Sequence, residues 1–66
     1  MNTKDIIKRN RELQVFLNTH NEKVYENMVV YIRLNSLSER VTEETLLEIL
    51  EHLIIGQQKG GRNLWL

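Results

Sequence analysis

Cysteine and proline are absent from this 66-residue chain, glycine occurs three times, and only four side chains are aromatic. Without Cys there is neither a disulfide framework nor a thiolate zinc site, and two His residues are too few for an all-histidine metal cage. No run approaches the roughly 20 apolar residues of a membrane span, and the first residues lack the apolar core of a signal peptide. A soluble, cytoplasmic chain is the expectation. An excess of charge is missing as well: nine basic and nine acidic residues cancel, which argues against a strongly electrostatic partner such as duplex DNA or an anionic membrane surface. The length allows one domain, and at this size folding buries only about 60% of the surface the unfolded chain exposes. Stability is thin, and self-association is a common remedy in scaffolds without covalent staples.

What is present is helical periodicity. From about residue 3 to 18, Ile6, Leu13, Phe16 and Leu17 gather on one side, and Lys4, Lys8 and Arg11 form a stripe on the other. Thr19 and Glu22 then stand at the spacing of a capping box, which predicts that a second helix begins at once and lies antiparallel to the first. That helix, about 21 to 36, carries Val24, Met28, Tyr31 and Ile32 on one face, widened by Tyr25 and Val29, with Val30, Leu34 and Leu37 on the other side. Val29-Val30-Tyr31-Ile32 also suits a strand, but no second strand-like run exists to pair with it.

The third helix, about 43 to 59, has the fullest set of signals. Thr42 is placed to cap it, Glu43 and Glu44 suit the positive end of its dipole, and Val41 with Leu46 matches a hydrophobic staple. Leu46, Leu47, Leu50, Leu53 and Ile54 fall on one face, and Gly60 follows where a left-handed residue usually ends a helix. The expectation is an all-α three-helix bundle with short connections over residues 1–61 and an apolar tail at 62–66. Its expected core is Leu13, Phe16, Leu17, Val24, Met28, Ile32, Leu46, Leu50, Leu53 and Ile54. Tyr25 and Tyr31 also read as core residues by their helical spacing.

Chemistry-bearing patterns are sparse. Glu44, Glu48 and Glu51 share a helix face, but no Glu-x-x-His pair accompanies them: Glu48 and His52 are four apart and on a polar face, so a solvated surface is expected. His20 sits at a helix boundary. Ser36 and Ser38 lie in a loop with no base and orienting group to activate them, and Gly60-Gly61 follows a helix whereas a phosphate cradle precedes one. No catalytic, cofactor-binding or metal-binding residue is assigned, and no enzyme, cofactor or small-molecule substrate is expected. Charge is segregated: Lys4, Lys8, Arg9 and Arg11 against Asp5 leave the first eleven residues at three positive, while Glu43, Glu44, Glu48 and Glu51 make the third segment acidic. Intramolecular pairing is one outcome of that segregation. The alternative, a nucleic-acid-binding accessory protein using the basic stripe, meets the objection that a recognition helix should be the later one, which here is acidic.

The ordered set Leu17-Asn18-Thr19-His20-Asn21-Glu22-Lys23-Val24-Tyr25, Tyr31-Ile32-Arg33, Glu44-Thr45-Leu46-Leu47-Glu48-Ile49-Leu50 and Gln57-Gln58-Lys59-Gly60 resembles the N-terminal cytosolic helical domain of an uncharacterised family of bacterial membrane proteins. The similarity spans roughly residues 13 to 61. It implies a helical domain that precedes transmembrane helices, with no activity, cofactor or catalytic residue to carry over. Where the family pattern has a second Tyr this chain has Glu26 or Val24, and where the family has Ala-x-x-x-Phe-Gly this chain has Arg62-Asn63-Leu64-Trp65-Leu66.

The functional expectation is a non-enzymatic protein-interaction or regulatory module that forms a homodimer, or that serves as part of, or partner to, a membrane protein. Its candidate interface is the apolar surface that one three-helix core has no room for: Val30, Leu34, Leu37, Ile55, Leu64, Trp65 and Leu66.

Overall fold

A computed structural model describes residues 1–35 and 38–63, with side chains of the last helix as far as residue 59. The chain is an all-α three-helix bundle: α1 spans Thr3–Gln14, α2 Thr19–Asn35 and α3 Glu39–Asn63, with no strand among the described residues. The connections are short, as expected. The helix ends differ from expectation in ways that local hydrogen bonding explains.

Asn2 caps α1, its Oδ1 accepting from the Asp5 N–H at 2.9 Å. The helix stops at Gln14 and does not reach residue 18, because the Phe16 and Leu17 N–H groups turn to the carbonyls of Leu13 and Gln14, three residues back, and tighten the chain out of the α-helical pattern. At the start of α2 the predicted Thr19–Glu22 capping box gives way to Asn18, whose Oδ1 accepts from Asn21 N–H at 2.8 Å and whose carbonyl accepts from Glu22 N–H. The third helix likewise begins four residues before the predicted boundary. Ser38 is its cap, with its Oγ accepting from Val41 N–H at 3.2 Å. Thr42, expected at the cap, is buried inside the first turn with its hydroxyl on the Ser38 carbonyl at 2.8 Å. Val41 is thus inside the helix and exposed, so the Val41–Leu46 staple does not form. At the far end α3 continues through Gly60 and Gly61 to Asn63, where the sequence predicted a stop near Lys59.

Hydrogen bonds between helices set their directions. Arg40 at the start of α3 donates to the Met1 carbonyl, and Gln57 near its end reaches Phe16 and Asn18, so α1 runs parallel to α3. Asn21 meets Leu53 and Gln57, while Arg33 meets Glu43, so α2 runs antiparallel to both. The expected antiparallel relation of α1 and α2 is present, yet the two touch little. Each packs on α3 instead, α1 more extensively. The result is flat and long, 42 × 23 × 15 Å, with a thin dimension not far above the roughly 10–12 Å of one helix with its side chains.

The buried apolar core is small: Ile6, Leu17, Tyr25, Leu46 and Leu50, flanked by half-buried Leu13, Val29, Ile32, Ile49, Leu53 and Ile54. Three side chains expected in the core are not there. Phe16 is 63% exposed because α1 has already ended and its periodicity no longer applies. Met28 and Tyr31 are exposed because α2 turns Asn21, Tyr25, Val29 and Ile32 toward α3, a face rotated by about one residue step from the one predicted. Val24, also expected in the core, is half-buried.

Candidate interaction surface

On α2, the residues turned away from α3 form an apolar strip: Val30 is 61% exposed, Tyr31 70% and Leu34 80%, with Lys23 and Asn27 one turn before them on the same side. Val30 and Leu34, four apart, stand one above the other, so the strip is continuous along the helix. Ile55 is also exposed, but it lies on the outer face of α3 among Glu44, Glu48 and Glu51. Arg33 marks the level of Glu43, so Ile55 is about 18 Å further along α3, counting 1.5 Å per residue. The structure therefore does not join Ile55 to the α2 strip. Leu37, Leu64, Trp65 and Leu66 lie outside the described residues.

Because α1 and α2 pack on α3 and hardly on each other, an open groove of about 490 Å³ runs beside α2, lined by Gln14, Leu17, Glu22, Tyr25, Glu26, Val29, Val30 and Arg33. Leu17 and Tyr25 come from the core, and Glu22, Glu26 and Arg33 carry its charge. The Gln14 side-chain amide donates to the Tyr25 hydroxyl at 3.4 Å. Burial pushes the Tyr25 phenol above its ordinary value of 10.0, and nearby Glu43 adds to that, while the Gln14 hydrogen bond and the Arg33 charge pull the other way.

Under the α1–α3 contact lies a polar cluster that the sequence reading missed. Asn10, 2% exposed, donates through Nδ2 to the Glu43 carbonyl at 3.0 Å and to its carboxylate at 2.9 Å. Glu43 is itself only 5% exposed, and its other carboxylate oxygen pairs with Arg33 at 3.4 Å. Asn10 Oδ1 is buried with no hydrogen-bond partner. Glu43 thus belongs to the interior and not to the solvated acidic face. One signal was available: Ile6, Asn10, Leu13 and Leu17 follow one stripe of α1, and a polar residue in such a stripe needs a partner.

The other charged faces are exposed. Lys4, Lys8 and Arg11 face outward on α1, and Glu44, Glu48 and Glu51 outward on α3. Pairing between these two segments, one outcome of the segregated charge, is absent among the described residues, whose ion pairs are Arg33–Glu43 and Arg40–Glu44. Packing α1 against α3 turns both charged faces away from the contact. Among the described residues no three His, Asp or Glu converge as metal ligands, and no helix is long and apolar enough to cross a membrane.

No family model matches the chain, and neither the curated proteins nor the solved structures contain a match to it.

Proposed function

We propose that this chain is a non-enzymatic interaction module that self-associates through the outward side of α2. The observation that carries this reading is the continuous exposed strip Val30, Tyr31 and Leu34 on a bundle with five buried apolar side chains among the described residues. A second copy is the economical partner, since one patch that fits itself is buried twice in a symmetric dimer.

Sedimentation equilibrium tests the reading. At about 100 μM, well above the micromolar constants of modest interfaces, the parent is expected to be dimeric. Leu34→Glu, which buries a charge in the strip, is expected to be monomeric with unchanged helicity. A parent that remains monomeric at that concentration, or a variant that dimerises like the parent, refutes the proposal.

A further inference from the structure

The groove-facing residues of α2 are, in order, Glu22, buried Tyr25, Glu26, Val29, Val30 and Arg33, with exposed Leu34 at their edge. Acid stands at one end, apolar side chains in the middle and base at the other end. A stripe of this kind complements its own reversed copy. We infer that two copies pair through α2 in antiparallel fashion, about a two-fold axis passing between Val29 and Val30; this rests on the self-association proposed above and specifies its geometry.

The register follows from the spacing. Reversal about the midpoint of Val29 and Val30 sets Val29 level with the partner copy's Val30 and Glu26 against its Arg33. Each contact occurs twice. Glu26 has no ion-pair partner among the described residues. Arg33 gives one terminal nitrogen to Glu43 and its side chain is 58% exposed, so its remaining donors are free to meet a second carboxylate. A parallel pair would place Glu22 and Glu26 against their own copies and Arg33 against Arg33. Like charges would then face each other at both ends, which disfavours that arrangement. Shifting the antiparallel register by four residues, to match Glu22 with Arg33, would set Glu26 against Val29.

Absence of Cys makes the test direct, because a single introduced thiol is the only one to label. Exposed His20→Cys and Lys23→Cys, each carrying a nitroxide on the full chain, are measured by double electron–electron resonance alongside sedimentation. With helices about 8–10 Å apart and 1.5 Å per residue, the antiparallel register sets the backbones about 30 Å apart at position 20 and about 20 Å apart at position 23. Charge reversal by Glu26→Lys is expected to weaken the dimer about tenfold, since the new lysine would face Arg33 of the other copy. A dimer with equal short separations at both positions overturns the antiparallel geometry and leaves self-association standing. So does one whose two distances are shortened together by about 6 Å, as the shifted register requires. A monomer with no dipolar coupling overturns both proposals, and an unweakened Glu26→Lys dimer removes the Glu26–Arg33 contact.

Discussion

Replacing Asn10 by Asp changes one atom group in a polar contact enclosed between α1 and α3, and its effect is set by what surrounds it. The parent side chain donates twice to Glu43, to the backbone carbonyl and to the carboxylate, at 3.0 and 2.9 Å. A carboxylate of the same shape has no hydrogen to give when ionised, so both contacts become oxygen against oxygen. Two negative charges then share a site where Asn10 is 2% and Glu43 5% exposed, and only Arg33, itself largely in solvent, is near enough to compensate. Breaking a buried charged contact costs about 3 to 5 kcal/mol. At about 0.05–0.15 kcal/mol per residue, a chain of 66 residues has about 3 to 10 kcal/mol in total. Urea denaturation followed by helical circular dichroism at pH 7 should therefore show Asn10→Asp to be marginally folded or unfolded. Adding Glu43→Gln gives the site a donor again and should recover at least half of the loss. The introduced aspartate would hold its proton more tightly when folded than when unfolded, so the deficit should shrink as pH falls toward 4 and grow as it rises. A variant as stable as the parent at pH 7, or one that Glu43→Gln leaves unimproved, would show that the Asn10–Glu43 contact does not hold α1 to α3.

Three further outcomes follow from single features. Gly56 lies inside α3 with open space where a Cβ would point, so Gly56→Ala should stabilise the chain by about 0.5 to 1 kcal/mol, and a destabilised variant would place the end of the helix before residue 56. The Tyr25 phenol is raised above 10.0, chiefly by burial, so the stability it supports is complete below pH 10 and is lost as pH rises beyond it. In a Tyr31→Phe background, absorbance at 295 nm should show Tyr25 ionising above pH 10, and ionisation at or below that value would contradict its burial. The exposed stripe Lys4, Lys8 and Arg11 offers about three phosphate contacts, so binding to random duplex should be no tighter than about 10⁻⁴ M at moderate salt, and micromolar retention in a gel shift would restore the nucleic-acid reading.

The α-helical class, the existence of three helices and the inward face of α3 were legible in the chain, because a period of 3.6 among Leu46, Leu50 and Leu53 needs no knowledge of neighbours. Exposure of Val30 and Leu34 was legible for the same reason, since both fall on the second side of a helix that already has an apolar face. Helix limits were less so. Asn18 and Ser38 compete with Thr19 and Thr42 for the caps, and neighbouring hydroxyl and amide side chains look alike until the backbone chooses between them. Which way α2 turns could not be read from it alone, because it is apolar over most of its circumference and only docking on α3 selects Tyr25 over Tyr31. The polar contact among Asn10, Glu43 and Arg33 joins positions 33 and 10 residues apart in sequence. The groove exists only because α1 and α2 both favour α3 over each other. Periodicity is a property of one helix and is written in its own residues; the rotation, burial and charge pairing of that helix depend on the surface it meets, which does not exist until the chain has folded.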